Sequence, residues 1–208
     1  MNLTTKKTIY LIRHGETEYN KRGIIQGSGI NSDLNDHGRL QAHLFYMAYK
    51  HINFDKIYIS ELARTYQSVA HFIKNRIPYE KLHGLNEINW GIMEGAIPNE
   101  HNQLLYHRMI EDWKNGFLDV AIEKGETPND MYSRQRTGLT QILTKPEEKT
   151  ILICMHGRAI RSFLCLLLNL PLTHMEDFKH SNLCLYVLEQ KEDGFFEFTI
   201  ENSTDHLW

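Results

Sequence analysis

Apolar positions follow two spacings along the chain, and each spacing predicts a different element. Short, nearly continuous apolar runs at residues 8–12, 56–59 and 151–155 are typical of strands covered on both faces. Apolar residues at helical spacing predict helices at about 36–50, 62–74, 99–114, 129–143 and 158–168. This alternation predicts an α/β fold: a three-layer sandwich with a mostly parallel central sheet and helices on both faces.

The remaining segments complete this prediction. Two further strands are expected at about 183–189 and 195–200, joined by a turn at Asp193-Gly194. Residues 80–95 contain three glycines and are expected to be mostly loop. Because no linker, low-complexity tract or repeat divides the chain, we expect a single domain over residues 1–208. Its helical segment at about 95–145 is predicted to be a lid-like insertion.

Composition narrows the possible functions. A formal net charge of -3 argues against a broad nucleic-acid-binding surface. No apolar run approaches the length of about 18 residues that a transmembrane helix needs. Three cysteines lie in apolar segments without metal-binding or redox spacing, which indicates reduced thiols and a cytoplasmic protein. We expect a monomer or homodimer that acts on a small substrate, without nucleic-acid or membrane partners.

Three predicted strands end in polar residues that can carry chemistry. His14, Ser60 and His156 each follow one of these strands. Ligands of parallel α/β sheets bind beyond the carboxyl ends of the strands, so these residues are expected on one rim. Arg13 precedes His14 and can offer a planar fork of donors to a phosphate. Gly15 allows close backbone approach to an anion.

A phosphoryl-transfer site is consistent with these residue types. Neutral imidazole is a competent nucleophile because its unperturbed pKa is about 6.5. Arg64, in the first turn of the helix after Ser60, can point over the same rim. On its own, Arg64 would be read as a solvated side chain. Its placement near His14 and His156 makes it a candidate for binding phosphoryl oxygens.

Four segments, taken together and in order, resemble the histidine phosphatase superfamily, the phosphoglycerate mutase-like group. They are Arg13-His14-Gly15-Glu16-Thr17, the stretch from Ser60 through Arg64 to Gln67, Glu87 ahead of Trp90-Gly91-Ile92-Met93-Glu94-Gly95, and His156-Gly157. The match runs from residue 8 to about residue 190.

This resemblance implies a role for each matching residue. His14 would be the nucleophile that becomes phosphohistidine, and Arg13, Arg64 and His156 would surround the phosphoryl oxygens. Glu87 would protonate the leaving alkoxide and then deprotonate the attacking water. Like-charge repulsion from phosphate favours the protonated acid that this first step needs. With guanidinium and imidazolium groups neutralising the phosphoryl charge, neither a metal nor another cofactor is expected.

Further residues match positions that line the pocket in relatives: Asn20, Gln26, Gly27 and Gly157. Amides of Asn and Gln can donate to phosphate or sugar hydroxyls. Arg158 departs from the family pattern, in which a small or amide residue is usual. It is expected either to bind a second anionic group of the substrate or to pair, exposed, with a neighbouring carboxylate. Glu94 is interpreted as structural.

Three reactions are compatible with this set. The chain can be a phosphomonoesterase of the histidine acid phosphatase type, a cofactor-dependent phosphoglycerate mutase, or a domain that binds phosphorylated ligands without turnover. Family mutases carry a longer, basic insertion after the acid residue, whereas residues 89–124 have only three Arg and Lys residues among six acidic ones. The chain length and Gln26-Gly27 also resemble the phosphatase branch. We therefore favour the phosphomonoesterase.

Other conspicuous side chains have simpler interpretations. The spacing of His101, His107, His174 and His180 does not match a metal motif, so these are expected to be solvated. An aromatic and apolar group after the acid segment can either pack helices or form a lid that selects the leaving group. Its members are Trp90, Tyr106, Met109 and Trp113.

Overall fold

The computed structural model describes residues 6–208 and is built around a six-stranded sheet. The strands are β1 (Thr8–Arg13), β2 (Lys56–Ile59), β3 (Tyr79–Lys81), β4 (Thr150–Met155), β5 (Leu185–Gln190) and β6 (Phe196–Ser203). Their order across the sheet is β3-β2-β4-β1-β5-β6. The first four strands in this order run parallel. Strand β5 pairs antiparallel with β1, and β6 pairs antiparallel with β5.

Residues 6–208 also form six α-helices and four short 3₁₀ turns. The helices are α1 (Glu18–Lys21), α2 (Asp36–Tyr49), α3 (Ala63–Lys74), α4 (Glu100–Lys114), α5 (Pro128–Leu143) and α6 (Gly157–Leu167). The 3₁₀ turns are His83–Leu85, Gly91–Met93, Leu172–Asp177 and Asp205–Leu207. Side-chain caps begin several helices: Asn35 accepts from the Gly38 N–H, and Thr127 and Asp130 form a reciprocal capping box.

Apolar side chains of the sheet pack into two cores, one on each face. On one face, Ile12 and Ile57 pack with Phe45 and Phe72 of α2 and α3. On the other face, Ile9, Leu11 and Ile153 belong to a larger core that also contains residues of α4, α5 and α6. Successive strand residues alternate between the two faces, so β1, β2, β4 and β5 each contribute to both cores. This confirms the predicted three-layer α/β fold with a mostly parallel sheet.

Most predicted elements match the observed ones, and the exceptions have local causes. Strand β3 was expected to be loop; its three residues are all exposed at the sheet edge and carry no apolar alternation. Strand β5 begins at Leu185 rather than Leu183, which has a positive φ of 54°. The expected helical segment at 95–145 contains α4 and α5, and its role as a lid stays a prediction.

All three cysteines are free and buried. Burial raises the pKa of Cys184 to about 11 and that of Cys165 to about 12. Burial also raises the pKa of Cys154 strongly. These thiols are therefore packing residues, as the sequence predicts. Within the described residues, no helix is both long and apolar enough to cross a bilayer.

Candidate active site

The carboxyl ends of β1 and β4 open into a cavity of about 300 Å³. Seven of the ten residues that the sequence singles out line it: Arg13, His14, Asn20, Gln26, Glu87, Gly157 and Arg158. The other three, Gly27, Arg64 and His156, lie behind this lining. The fold therefore brings most of the expected residues to one cavity.

His14 presents one ring nitrogen to the cavity because its other nitrogen is already bonded. Nδ1 lies 2.7 Å from the backbone oxygen of Gly15. A carbonyl oxygen only accepts, so Nδ1 carries the proton and the Nε2 lone pair is free. The Gly15 N–H in turn donates to the Ser68 hydroxyl at 2.9 Å. A side chain at Gly15 would collide with the Gly38 carbonyl, so the loop needs glycine to pack against α2.

The surroundings of His14 keep its ring uncharged. The side chain is 2% exposed. Burial, followed by the positive charges of Arg64 and Arg13, lowers its pKa well below the ordinary 6.5. The ring is therefore neutral at physiological pH, which is the form in which Nε2 can act as a nucleophile.

His156 is fully buried, and protein groups bind both of its nitrogens. Nδ1 accepts from Arg64 Nε at 3.1 Å, which leaves the proton on Nε2. Nε2 lies 2.8 Å from the Ser60 hydroxyl and donates to it. Burial and the charge of Arg64 lower the pKa of His156 well below 6.5. His14 and His156 have ring centroids 5.1 Å apart, yet only His14 lines the cavity.

Arg64 is likewise fully buried and donates to protein acceptors. Besides His156, it donates to the carbonyls of Ile30 at 2.7 Å and Gly27 at 3.2 Å. Burial lowers its pKa to about 10, so it stays protonated at neutral pH. A side chain at Gly27 would collide with the Glu94 carboxylate, which also accepts from the Trp90 N–H. Glu94 is therefore structural, as predicted, and Gly27 supports Arg64 from behind the cavity lining.

Arg13 lines the cavity with part of its guanidinium unpartnered. Nη1 donates to the His180 carbonyl at 2.7 Å, whereas the buried Nε has no hydrogen-bond partner among residues 6–208. Gly157 leaves space there: a Cβ would lie 3.4 Å from this Nε and 3.3 Å from the His180 ring. A guanidinium that lines a cavity is a suitable ligand for an anionic oxygen.

The carboxylate of Glu87 lies at the N-terminus of α6. Oε1 accepts from the backbone N–H groups of Ile88 at 3.0 Å and Ala159 at 2.8 Å. Oε2 accepts from the Arg158 N–H at 3.0 Å. Glu87 is 6% exposed, lines the cavity and interacts electrostatically with Arg13 and Arg64. The helix thus fixes the carboxylate at the cavity wall, beside the cationic groups.

Arg158 is buried rather than exposed, and it combines features of both sequence interpretations. It lines the cavity and is 4% exposed. It pairs with Glu176, donates to the Tyr106 hydroxyl at 3.0 Å and lies 5.5 Å from the Trp113 ring centroid. Glu176 also binds Arg161, one turn along α6, so two arginines share one carboxylate. Binding of a second anion by Arg158 stays a prediction.

Two amides complete the predicted set. Gln26 lines the cavity while its Nε2 donates to Thr17 at 2.7 Å and its Oε1 accepts from Ser32. Asn20 Oδ1 accepts from the side chain of Asn182, which also donates to the His14 carbonyl at 3.0 Å. Both amides therefore hold the loop after β1, and both face the cavity.

One interpretation from the sequence is wrong, and it concerns His180. This residue was expected to be solvated, but it lines the cavity beside Arg13. Burial and the charge of Arg13 lower its pKa to about 3, so the ring is uncharged. A lone histidine in a polar loop gives no local signal of such a contact. His101 and His174 are exposed as expected, and His107 is exposed at the cavity rim.

The aromatic group divides between the two roles that the sequence left open. Met109 and Trp113 are buried in the core. Trp90 and Tyr106 line the cavity, with ring centroids 5.3 Å apart. Helix α4 therefore contributes both packing residues and part of the cavity wall.

The fold and this site define an α/β protein with a buried histidine and an arginine at the carboxyl edge of a parallel sheet. The chain belongs to the histidine phosphatase superfamily (branch 1), whose family model matches residues 9–203. Membership in this superfamily, together with relatives named phosphatases, supports an enzyme with phosphatase activity.

Individual relatives agree with this assignment. Phosphoserine phosphatase 1 of Hydrogenobacter thermophilus is 26% identical over 185 residues, covering 88% of this chain and 87% of its own. A probable phosphoglycerate mutase of Serratia proteamaculans is 30% identical over 169 residues, covering 78% and 75%. A phosphoserine phosphatase structure from Entamoeba histolytica has a TM-score of 0.81 at 28% identity, covering 97% and 100%.

Proposed function

We propose that the protein is a phosphomonoesterase that hydrolyses a small phosphorylated metabolite through a phosphohistidine on His14. The observation that carries this proposal is the fixed tautomer of His14. Its Nδ1 proton is held by the Gly15 carbonyl, and its neutral Nε2 faces the cavity. A histidine held in this tautomer already has a free lone pair on Nε2, so it needs no separate base to remove a proton before it attacks.

In the first step, Nε2 of His14 attacks phosphorus, and the bond from phosphorus to the ester oxygen breaks. Arg13, which lines the cavity, binds the equatorial oxygens, and Arg64 adds positive charge from behind. Glu87 gives its proton to the departing alkoxide. Its Oε2 accepts only one backbone N–H, which leaves a lone pair available to hold that proton.

In the second step, Glu87, now a carboxylate, takes a proton from water as the water oxygen attacks the phosphorylated His14. Inorganic phosphate leaves, the lone pair returns to Nε2, and Glu87 is protonated again. The two half-reactions thus use the same carboxyl group first as an acid and then as a base. In this proposal arginine side chains neutralise the phosphoryl charge, and neither a metal nor a cofactor takes part.

A phosphoglycerate mutase is the second candidate, because the Serratia relative has that probable assignment. A mutase must hold a bisphosphorylated intermediate while it reorients, which requires additional cations. The described lysine and arginine residues that line the cavity are Arg13 and Arg158, and Arg158 is already paired with Glu176. This distribution of charge favours hydrolysis.

Substrate identity and setting are part of the same proposal. The rest of the cavity wall combines apolar side chains with the amides of α4, which suits a small organic leaving group: Ile24, Ile25, Trp90, Met93, Asn102 and Gln103. We propose a monomeric or homodimeric enzyme of the histidine acid phosphatase type. Its three buried, unpaired cysteines suit the cytoplasm.

The test is a panel of phosphorylated sugars, glycerates, amino acids and nucleotides, with inorganic phosphate and organic products both measured. Release of phosphate in step with the alcohol is expected. Interconversion of 2- and 3-phosphoglycerate without net phosphate release would establish the mutase instead. Binding of inorganic phosphate without turnover on any substrate would establish a non-catalytic domain.

A further inference from the structure

A salt bridge outside the cavity holds the backbone of the segment that carries Glu87. Arg134 of α5 binds Glu126 through two parallel hydrogen bonds, from Nε to Oε1 at 2.6 Å and from Nη2 to Oε2 at 2.8 Å. Both side chains are largely buried, with exposed fractions of 14% and 17%. Neither residue lines the cavity around His14.

The other edge of the Arg134 guanidinium binds the backbone carbonyl of Glu87 and carbonyls that precede it in the chain. Nη2 donates to the carbonyl of Glu87 itself at 3.1 Å, and Nη1 donates to that of Asn86 at 2.9 Å. Nη1 also lies 3.2 and 3.3 Å from the carbonyls of Gly84 and His83. One side chain thus gathers four carbonyls of a segment that has little regular structure.

Glu126 binds the same segment from its far end. Its Oε2 accepts from the Asn89 N–H at 3.3 Å, and its own N–H donates to the Asn89 carbonyl at 2.8 Å. Helix α5 packs closely here, because a side chain at Gly84 would collide with the Arg134 carbonyl. The segment that carries Glu87 is therefore held by Arg134 of α5 up to Glu87 and by Glu126, just before α5, after it.

We propose that Arg134 and Glu126 are positioning residues for Glu87 and so determine how well the enzyme protonates its leaving group. This inference rests on the proposed function, because it needs Glu87 as the acid. The position of the Glu87 carboxyl group has two sources: α6 binds its oxygens, and the Arg134–Glu126 pair holds its backbone. Weakening the pair moves the acid while leaving His14 and Arg13 in place.

The test separates proton donation from nucleophilic attack by choice of leaving group. 4-Nitrophenolate leaves without a proton, whereas an alkoxide requires one. The measurement is the first-turnover release of each alcohol from 4-nitrophenyl phosphate and from the best alkyl phosphate of the substrate panel. First-turnover rates precede phosphohistidine hydrolysis, in which Glu87 acts again.

Arg134→Ala is expected to slow alkyl ester cleavage about 100-fold. General acid catalysis typically accelerates a reaction by roughly 10²- to 10⁴-fold, so this loss corresponds to much of the contribution of Glu87. Cleavage of 4-nitrophenyl phosphate is expected to change by less than about threefold, since its leaving group needs no acid. Arg134→Lys keeps the positive charge but cannot form the paired hydrogen bonds of the guanidinium, so it should also slow the alkyl ester more than 4-nitrophenyl phosphate. It replaces Arg134→Ala if that variant does not fold. Equal losses on both substrates, or no loss on either, would overturn the proposal.

Two further variants make the result specific. Arg136→Ala removes an exposed arginine from the same helix and is expected to leave both rates unchanged. In a Glu87→Gln background, Arg134→Lys is expected to cause no additional loss on the alkyl ester, because the two changes act through one group. Independent, multiplying losses would mean that Arg134 acts elsewhere. Wild-type protein that cleaves neither ester would instead refute the proposed function itself.

Discussion

The ends of β1 and β4 have the same layout, a histidine followed by a glycine, but their hydrogen bonds make the two histidines different. His14 bonds through Nδ1 to its own neighbour and leaves Nε2 at the cavity. His156 is bound on both nitrogens, by Arg64 and Ser60, and lies behind the cavity lining. Strand order sets the position of both rings, and tertiary partners determine which of them can react.

The arrangement also gives His156 a defined effect at a distance. By accepting from Arg64 Nε, it fixes the plane of the guanidinium whose remaining nitrogens bind Ile30 and Gly27. A ring proton on Nδ1 would break this contact, and the depressed pKa of His156 prevents that at neutral pH. In the proposed mechanism, His156 therefore orients Arg64, while His14 carries out the chemistry.

The largest expected effect comes from removing the nucleophile. His14→Ala should lower kcat/KM by about 10⁴-fold or more, the scale seen when a catalytic nucleophile is removed from other enzymes. The check is kinetics together with the mass of acid-sensitive phosphoprotein trapped during turnover. Wild-type protein should gain one phosphoryl group, and the variant none. A fully active His14→Ala would refute the mechanism.

A smaller loss is expected at the other strand end. His156→Ala should reduce kcat about 100-fold, since misplacing a binding group by about 1 Å has costs of that order. His14 should still become phosphorylated. His156→Asn offers an acceptor where Nδ1 was and should recover much of the rate, whereas His156→Gln should recover less. If His156→Ala never forms phosphoprotein, the distinction between the two histidines fails.

A substitution at Arg158 tests whether a residue just after β4 also contributes to substrate selection. A second phosphate bound by Arg158 gains a charge-assisted hydrogen bond, so Arg158→Ala should lower kcat/KM for sugar bisphosphates about 10- to 100-fold. Loss on the matching monophosphates should be much smaller. Arg161→Ala is the matched control, because Arg161 shares Glu176 but does not line the cavity. Equal loss on both substrate classes, or none, removes this role.

The smallest effect concerns stability, in which the two histidines should behave alike. Both have pKa values below 6.5 in the folded state, so the unfolded chain binds more protons as the pH falls through 6.5. Each of the two histidines should therefore lower the free energy of unfolding by up to about 1.4 kcal/mol for every pH unit below about 6.5. Urea unfolding at several pH values, free of phosphate, measures this slope.

His14→Gln and His156→Gln should each reduce that slope by a similar amount. Exposed His101 provides the comparison, and His101→Gln should leave the slope unchanged. A slope that only one of the two buried histidines affects would mean that the other is charged in the folded protein.

Much of the fold could be predicted from the sequence, because buried parallel strands and amphipathic helices have distinct apolar spacings. Strand β2 matches its predicted bounds, and α5 begins one residue before its predicted start. The edge strand β3 could not be predicted in this way. Its side chains are exposed, and apart from the Lys56–Glu80 ion pair its pairing with β2 depends on backbone groups.

The site was predictable as far as local motifs extend. His14, Arg13 and Glu87 reach the cavity as the motifs imply. His180 and the Glu176 partner of Arg158 come from a later segment that carries no motif. Hydrogen bonds of Arg64 to carbonyls were also beyond prediction, because any loop can supply a backbone oxygen.

The three buried thiols have a practical consequence for spectroscopy. Burial and raised pKa values keep Cys154, Cys165 and Cys184 in the unreactive thiol form. A single cysteine introduced at an exposed site of α4, such as Leu104, would then be the one thiol that a maleimide dye modifies without unfolding the protein. The native chain thus needs no cysteine removal before a fluorescent or spin label is attached to test whether α4 moves as substrate enters, as the predicted lid would.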